Sequence, residues 1–220
     1  MVKSALKPYY DQDGITIYCC DCREILPELP KVDLVLTDPP YGIGEAAGKN
    51  KSRGCLGVSR DYGNDRWDDK TLDDEVNLAI DCGVNAVVFG GNYYDLPPSS
   101  CWLVWDKDNG ATDFADCELA WTNFDKAVRK FTWRWQGMLQ EHGGAKKEIR
   151  QHPTQKPVAL MKWCINQAGE PQTILDPFMG SGTTLVAAKQ LGRKAIGIEI
   201  EQKYCDIAIE RLRQKVLPFG

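Results

Sequence analysis

Short apolar segments of β type alternate with segments of helical periodicity along this chain, most plainly towards its C-terminus. The residue pattern predicts a strand at 173–175, a helix at 183–190, a strand at 195–200 and a helix at 202–215. Strands that alternate with helices build a mainly parallel sheet with helices packed against it. The sequence therefore predicts an α/β fold with a doubly wound, mostly parallel sheet.

The rest of the chain continues this pattern with two interruptions. Further strands are predicted at 15–19, 32–37, 86–89, 101–105 and 118–121, and further helices at 71–82 and 157–167. Residues 42–70 are rich in glycine and charge and are expected to form a long mobile loop, while 122–150 lack clean periodicity. A length of 220 residues suits one domain. We expect a single domain over 1–220 that carries this loop and an insertion at 122–150.

The cysteine and histidine content argues against a metal centre. The nine cysteines are scattered, the chain has two histidines, and no second pair accompanies Cys19, Cys20 and Cys22 at zinc-ligand spacing. We therefore expect reduced thiols and no metal. The sequence lacks an apolar run of about 18 residues, and its start does not resemble a signal peptide. A cytoplasmic location without membrane contact is the expectation.

The segment LDPFMGSGTT at 175–184 lies between a predicted strand and a predicted helix. Gly180 and Gly182 permit a tight turn and a close approach of a ligand to the backbone. Glu199 ends the next apolar strand, where a carboxylate can accept hydrogen bonds from both hydroxyls of a ribose. Leu185 stands where a dinucleotide-binding motif has its third glycine, which favours a nucleoside without phosphates, such as S-adenosylmethionine. The competing interpretation is a plain β-turn-α unit with a surface glutamate.

The tetrapeptide Asp38-Pro39-Pro40-Tyr41 follows the apolar strand at 32–37, so it is expected at the carboxyl edge of the sheet, where such folds bind ligands. An aromatic amine is a poor nucleophile because its lone pair is delocalised into the ring. The Asp38 carboxylate and the Pro39 carbonyl could each accept a hydrogen bond from such an amino group and orient its lone pair. Tyr41 offers a ring face on which an extruded base can stack. Taken alone, the motif also fits a strand end followed by a Pro-Pro turn.

Four motifs together resemble the beta-type amino-methyltransferases of DNA. They are TDPPYG at 37–42, HPTQKP at 152–157, LDPFMGSGTT at 175–184 and GIEIE at 197–201. The resemblance implies a class I methyltransferase fold, which is Rossmann-like, with its motifs in circularly permuted order. It also implies transfer of a methyl group from S-adenosylmethionine to the N6 amino group of adenine in DNA, by base flipping and direct transfer.

The resemblance also implies roles for individual residues. The tetrapeptide at 38–41 matches the catalytic element of the family. Asp21 matches the acid that bonds the adenine amino group of the cofactor, Glu199 matches the ribose acid, and Lys156 matches a cation near the cofactor's carboxylate. The full set implied in cofactor binding is Asp21, Cys22, Asp38, Thr154, Lys156, Asp176, Phe178, Gly180, Ser181, Gly182, Thr183, Thr184 and Glu199.

Basic residues are concentrated in two segments although the net charge is -4. Residues 126–150 carry seven basic and two acidic side chains, and residues 42–60 carry four basic and one acidic. Such segments can place phosphate contacts on one face, or they can be solvated surface loops. Because the chain is short for this family, target recognition is expected within 42–70 and 122–150. The predicted DNA-binding residues are Lys49, Arg53, Arg60, Arg129, Lys130, Trp133, Arg134, Lys146 and Lys147, with the alternative that the tryptophan packs in the core.

Other functions compete with adenine methylation. N4-cytosine methylation uses the same two acceptors, although its relatives more often carry serine in place of Asp38. RNA and protein-amide methyltransferases commonly show Asn-Pro-Pro-Tyr. A further alternative is a nucleoside-binding regulator that has lost catalysis, against which the intact Asp38, Tyr41 and Glu199 argue. The resemblance implies double-stranded DNA as the partner, and it leaves open a homodimer and a cognate restriction endonuclease.

Overall fold

A computed structural model describes residues 7–41, 72–110, 115–136, 139–140 and 155–214. Its strands are β1 Tyr10–Gln12, β2 Ile15–Cys19, β3 Val32–Thr37, β4 Gly83–Phe89, β5 Leu103–Asp106, β6 Cys117–Thr122, β7 Arg129–Thr132, β8 Trp135–Gln136, β9 Leu139–Gln140, β10 Thr173–Asp176 and β11 Lys194–Glu199. Its α-helices are α1 Cys22–Ile25, α2 Asp73–Asp81, α3 Val158–Gln167, α4 Thr183–Gln190 and α5 Gln202–Arg213. Within these ranges, no helix is both long and apolar enough to cross a membrane.

Nine of the described strands form one sheet in the order β1-β2-β11-β10-β3-β4-β6-β5-β7. The central run from β2 to β4 is parallel throughout. β1, at one side, and β6, at the other, pair antiparallel with this run, and β5 pairs antiparallel with β6. Because β10 lies between β11 and β3, the last strands of the sequence sit in the middle of the sheet, beside strands from its beginning.

Helices cover both faces of the sheet because the buried strands carry apolar side chains on both sides. Leu34 and Leu36 of β3 face the cluster formed by α3, α4 and α5, whereas Val35 faces the cluster that includes α1 and α2. Successive residues of a strand point to opposite faces, so one buried strand contributes to two cores. The fold class predicted from the sequence, a doubly wound α/β fold with a mostly parallel sheet, agrees with this arrangement.

The predicted insertion at 122–150 begins inside the sheet. β7 pairs in parallel with β5 and forms an edge of the main sheet, and β8 pairs with β9 in a separate two-stranded ribbon. The sequence pattern does not show β7, because three of its four residues are exposed and no apolar alternation marks the strand. Residues 42–70, predicted as a loop, lie outside the described residues.

Candidate active site

The parallel strands end at one edge of the sheet, and a cleft of about 360 Å³ opens there. Its walls come from the segments that follow β2, β3, β10 and β11, as expected for a fold in which ligands bind at the carboxyl ends of the strands. The predicted cofactor residues that line it are Asp21, Cys22, Asp38, Lys156, Asp176, Phe178, Gly180, Ser181, Thr183, Thr184 and Glu199. The DPPY element and the glycine loop therefore meet at one cleft, although 138 positions separate Asp38 from Asp176.

A buried hydrogen bond joins the two central strand ends. Thr37 Oγ1 donates to Asp176 Oδ1 over 2.8 Å, and the Phe178 amide donates to the same oxygen over 3.2 Å. Burial raises the pKa of Asp176 to about 6, although the hydrogen bonds oppose this shift. Asp176 thus holds the start of the glycine loop against Thr37, the residue that precedes Asp38. It therefore has a structural role in addition to its place in the cleft lining.

Glu199 fastens the glycine loop to the end of β11. Its Oε2 accepts a hydrogen bond from the Gly180 amide over 3.1 Å, and its Oε1 accepts one from the Glu201 amide over 2.8 Å. Burial raises the pKa of Glu199 to about 7, and these amide hydrogen bonds only partly oppose the shift. Each carboxylate oxygen has a further lone pair that can accept a hydrogen bond from the cleft.

Gly182 does not line the cleft, in contrast to its predicted place in the cofactor-binding set. Its φ of +75° is left-handed, and a Cβ at this position would lie 2.7 Å from the Cβ of Ala208 in α5. Glycine is needed here because helices α4 and α5 approach closely. The motif therefore combines one glycine at the cleft, Gly180, with one at a helix contact.

Asp38 is held by two side chains of the protein. Lys156 Nζ lies 2.6 Å from Oδ2, and the Tyr41 hydroxyl donates to Oδ1 over 2.5 Å. Burial raises the pKa of Asp38, and the Lys156 ammonium opposes that rise. Burial alone would lower the pKa of Lys156, but the charges of Asp38 and Glu118 raise it instead. The carboxylate and the ammonium therefore stabilise each other as an ion pair at the cleft wall.

Neighbouring residues fix the position of the Tyr41 ring. It stacks on Tyr93 with ring centroids 5.1 Å apart and an interplanar angle of 18°. On another side it touches the backbone of Gly90, where an added Cβ would lie 2.2 Å from Tyr41 Cε1. The Tyr94 hydroxyl donates to the Pro40 carbonyl, which fixes the turn of the DPPY element. The segment 90–94 after β4 thus supports the DPPY element.

Sequence comparison relates this chain to known DNA methylases. A family model described as DNA methylase matches residues 102–210. The type II methyltransferase M.HinfI of Haemophilus influenzae is 29% identical over 90% of this chain and 68% of its own length. M.ScaI of Streptomyces caespitosus, also a type II methyltransferase, is 26% identical over 96% of this chain and 86% of its own length. The chain is therefore similar in sequence to DNA methylases.

Solved structures agree with this similarity. The crystal structure of the M1.HpyAVI–SAM complex matches with a TM-score of 0.58 and 26% identity, over 90% of this chain and 100% of that chain. PvuII DNA methyltransferase, named as cytosine-N4-specific, has a TM-score of 0.60 at 18% identity, a likeness that shows the fold alone. The predictions of a Rossmann-like fold, of an S-adenosylmethionine-dependent DNA methyltransferase and of S-adenosylmethionine as its cofactor are confirmed.

The cleft of this methyltransferase fits S-adenosylmethionine. Its volume lies within the range of about 300–1,000 Å³ usual for small-molecule sites. Acidic side chains of Asp21, Glu75, Glu199 and Glu201 line it, and such a lining suits a ligand with a sulfonium cation. Phe178 adds an aromatic wall. The part that each residue takes in binding stays a prediction.

Two predicted cofactor contacts have other partners in the methyltransferase. Asp21 caps the N-terminus of α1 by accepting from the Arg23 amide over 2.9 Å, and it pairs with the Arg23 guanidinium at 2.5 Å. These hydrogen bonds from Arg23 hold the pKa of Asp21 below its usual range. Lys156, predicted to pair with the cofactor's carboxylate, is instead paired with Asp38 and Glu118 because both carboxylates lie within 3.2 Å of its ammonium. Thr154 lies outside the described residues.

The predicted DNA-binding residues are only partly described. Lys49, Arg53, Arg60, Lys146 and Lys147 lie outside the described residues. In β7, Arg129 is exposed, and the Lys130 ammonium pairs with Asp106 at 3.0 Å. Arg134 pairs with Asp108. Trp133 is half-buried and stacks on Phe131 with centroids 5.7 Å apart, as in the alternative in which the tryptophan packs in the protein.

Sequence reasoning missed two residues around the DPPY element. Glu118 and Tyr93 were not selected, although each lies two contacts from Asp38, through Lys156 and Tyr41 respectively. Tyr93 follows β4 and Glu118 lies in β6, and these positions come near Asp38 only through the order of the strands in the sheet. The Gly90-Gly91 pair was the one local feature that could have indicated a close approach of another chain segment.

Proposed function

We propose that this methyltransferase methylates the N6 amino group of adenine in double-stranded DNA. The proposal is carried by one observation: the Asp38 carboxylate lies at the wall of the cofactor cleft, directly before two prolines and Tyr41. When bound, S-adenosylmethionine supplies an electrophilic methyl group on a positively charged sulfur. The chain itself has to hold a flipped base with its amino nitrogen towards the cleft.

Asp38 and Pro39 divide that task. The Asp38 carboxylate and the Pro39 carbonyl each accept one hydrogen of the amino group, so that the nitrogen lone pair turns towards the cleft. The carboxylate also stabilises the positive charge that develops on the nitrogen. Its existing bonds to Lys156 and Tyr41 do not prevent this, because an ionised carboxylate offers about four lone-pair sites.

Cytosine is the second candidate, because the N4 amino group fits the same two acceptors. The PvuII enzyme, named as cytosine-N4-specific, has a similar fold, so the fold does not distinguish the two bases. Nucleoside mass spectrometry and base-resolved sequencing of DNA from cells that express the chain distinguish the two. We expect N6-methyladenine at a fixed sequence, and N4-methylcytosine as the product would overturn the adenine assignment.

Cofactor binding should depend on pH through Glu199, whose carboxylate we propose as the acceptor for the ribose hydroxyls. Its pKa of about 7 in the folded protein means that the ionised form, the better acceptor, is lost as the pH falls through that value. We expect the Kd for S-adenosylmethionine to rise roughly tenfold between about pH 8 and about pH 6, as one titrating group requires. Isothermal titration calorimetry measures this directly.

The matched control is Glu199→Gln, which keeps the shape and removes the titration. This variant should bind S-adenosylmethionine more weakly at high pH, with a Kd that changes little over the same range. A wild-type Kd that is independent of pH, or a Gln variant that keeps full affinity, would remove Glu199 from the ribose site.

The Tyr41 ring should matter more than its hydroxyl. Tyr41→Ala removes the stacking face, worth roughly 1–3 kcal/mol per base, so transfer should fall by about tenfold or more. Tyr41→Phe keeps the face and loses only the hydroxyl's hydrogen bonds with Asp38 and Lys156, so we expect a smaller loss. Single-turnover rates on one oligonucleotide compare the two variants. A Phe variant that is slower than the Ala variant would contradict the stacking role.

The DNA-binding surface and the protein partners are also proposals. We place phosphate contacts on the basic segments 42–60 and 126–150, of which Arg129 is an exposed member in the described sheet. The type II relatives support an enzyme of a restriction–modification system. A homodimer and a cognate restriction endonuclease stay predictions of the family resemblance.

A further inference from the structure

A row of four charged side chains runs from the end of β5 to the catalytic element. Lys107 Nζ lies 2.5 Å from Glu118 Oε1, Lys156 Nζ lies 3.2 Å from Glu118 Oε2, and the same ammonium lies 2.6 Å from Asp38 Oδ2. The charges alternate in sign, so the row as a whole is neutral. Asp38 has a role in the proposed function, whereas Glu118 and Lys107 have none.

The row is too well shielded to be an ordinary surface ion pair. The Lys156 side chain is 6% exposed, and those of Lys107 and Glu118 are 19% and 25% exposed. Solvent screening is weaker in such a place, so unbalanced charge is felt at the neighbouring groups. Burial alone would raise the pKa of Glu118, but the ammonium groups of Lys156 and Lys107 lower it, which keeps the carboxylate ionised.

The backbone fixes this row in register. Glu118 of β6 lies opposite Trp105 of β5, and the Lys107 amide donates to the Asp116 carbonyl over 2.9 Å. The two antiparallel strands therefore carry the Lys107–Glu118 pair on a rigid support. Lys156 precedes α3, and its ammonium contacts the Glu118 carboxylate of this pair.

We infer that Glu118 is a positioning residue of the methyl transfer: it holds the Lys156 ammonium and balances its charge, so that Asp38 remains an effective acceptor for the target amino group. This inference rests on the proposed role of Asp38. An ammonium 2.6 Å from Asp38 would otherwise oppose the positive charge that develops on the amino nitrogen. Glu118 offsets this opposition without touching the base.

The test compares three variants in single-turnover and steady-state transfer to an oligonucleotide. Glu118→Gln keeps the shape but leaves a net positive row, so kcat should fall by about tenfold, a loss expected of one nearby charge. KM for DNA and Kd for S-adenosylmethionine should stay within about threefold, because Glu118 contacts neither ligand. The double variant Lys107→Met with Glu118→Gln is neutral again and should recover most of the lost kcat, while Lys107→Met alone should not lower kcat.

The pH profile gives a readout that a merely structural role would not move. Asp38 faces Lys156, Glu118 and Tyr41, and it also interacts electrostatically with Asp176. The charge of Glu118 raises the pKa of Asp38, so Glu118→Gln should move the acidic limb of kcat to lower pH even as the plateau falls. An unmoved limb would overturn the inference.

The remaining outcomes separate the two proposals. If the wild-type enzyme transfers methyl groups and Glu118→Gln has an unchanged kcat, the inference fails while the role of Asp38 stands. If the double variant is as slow as Glu118→Gln, the loss of kcat does not come from the net charge of the row, and the inference fails. If the wild-type enzyme transfers no methyl group to any DNA, the proposed function fails and the inference falls with it.

Discussion

Asp38→Asn should lower the rate of methyl transfer by a factor on the order of 100 to 1,000, the usual cost of removing one preorganised electrostatic group from an active site. The asparagine keeps one acceptor oxygen but loses the negative charge that stabilises the amino nitrogen in the transition state. Its NH2 group would also face the Lys156 ammonium. Asparagine is preferable to alanine, because alanine would leave a void beside a buried cation.

Cofactor binding should survive this substitution, since the glycine loop and Glu199 do not depend on the charge of Asp38. Single-turnover rates and the Kd for S-adenosylmethionine, measured on the same preparation, distinguish the two effects. Asp33→Asn is the matched control: Asp33 lies on β3, the strand that Asp38 directly follows, but its carboxylate accepts from Gln172 and Thr173 at the opposite end of that strand. Equal losses of transfer and of cofactor binding in Asp38→Asn would contradict the assigned role.

The sequence predicted which segments meet at the cleft because parallel strands share one carboxyl edge. Asp38 follows one apolar strand and Glu199 ends another, so their proximity followed from the fold class alone. The resemblance to the family added the permuted order, in which β10 and β11 lie beside strands from the start of the chain. For these features, local pattern and global fold agree.

The contacts of Lys156 could not be predicted in the same way. Its partners Asp38 and Glu118 are distant in sequence; one follows β3 and the other lies in β6, so the pairing depends on how these strands and the segment before α3 are placed in the fold. Residue identity suggested an ammonium for the cofactor's carboxylate, and the structure gives that ammonium to the protein's own carboxylates. Periodicity indicates which segments form strands and helices, whereas side-chain partners are set by the packing of the whole sheet.

The edge strand β7 is a second feature that could not be predicted from the sequence. Its residues Arg129 and Lys130 are exposed, and basic residues are typical of unpaired strand edges, where they prevent association with another sheet. The charge that suggested DNA contacts thus has a second physical reason to be there. Hydrophobic periodicity predicts strands with a buried face, and β7 has almost none.

Gly90→Ala should lower methyl transfer by about a hundredfold, the loss that a misplacement of roughly 1 Å can cause at a reacting centre. Gly90 has a φ of +64°, and an added Cβ would lie 2.2 Å from Tyr41 Cε1 and 2.7 Å from Tyr41 Cζ. The backbone cannot yield easily, because the Gly90 amide donates to Leu119 and its carbonyl accepts from Tyr93, both over 2.8 Å. The Tyr41 ring must therefore move, and the hydroxyl that it presents to Asp38 moves with it.

Backbone strain alone does not produce this result, and Gly192→Ala serves as the control. Gly192 has a similar φ of +68°, with no atom of the described residues within 4 Å of an added Cβ. Each substitution should cost roughly 1–2 kcal/mol of stability because a left-handed conformation is strained for alanine. Urea denaturation should show at least this cost in both variants and a larger one in Gly90→Ala, because the Tyr41 ring is displaced there as well, while only Gly90→Ala loses transfer. Equal activity in the two variants would mean that the Tyr41 ring is not held in a catalytic position by the turn after β4.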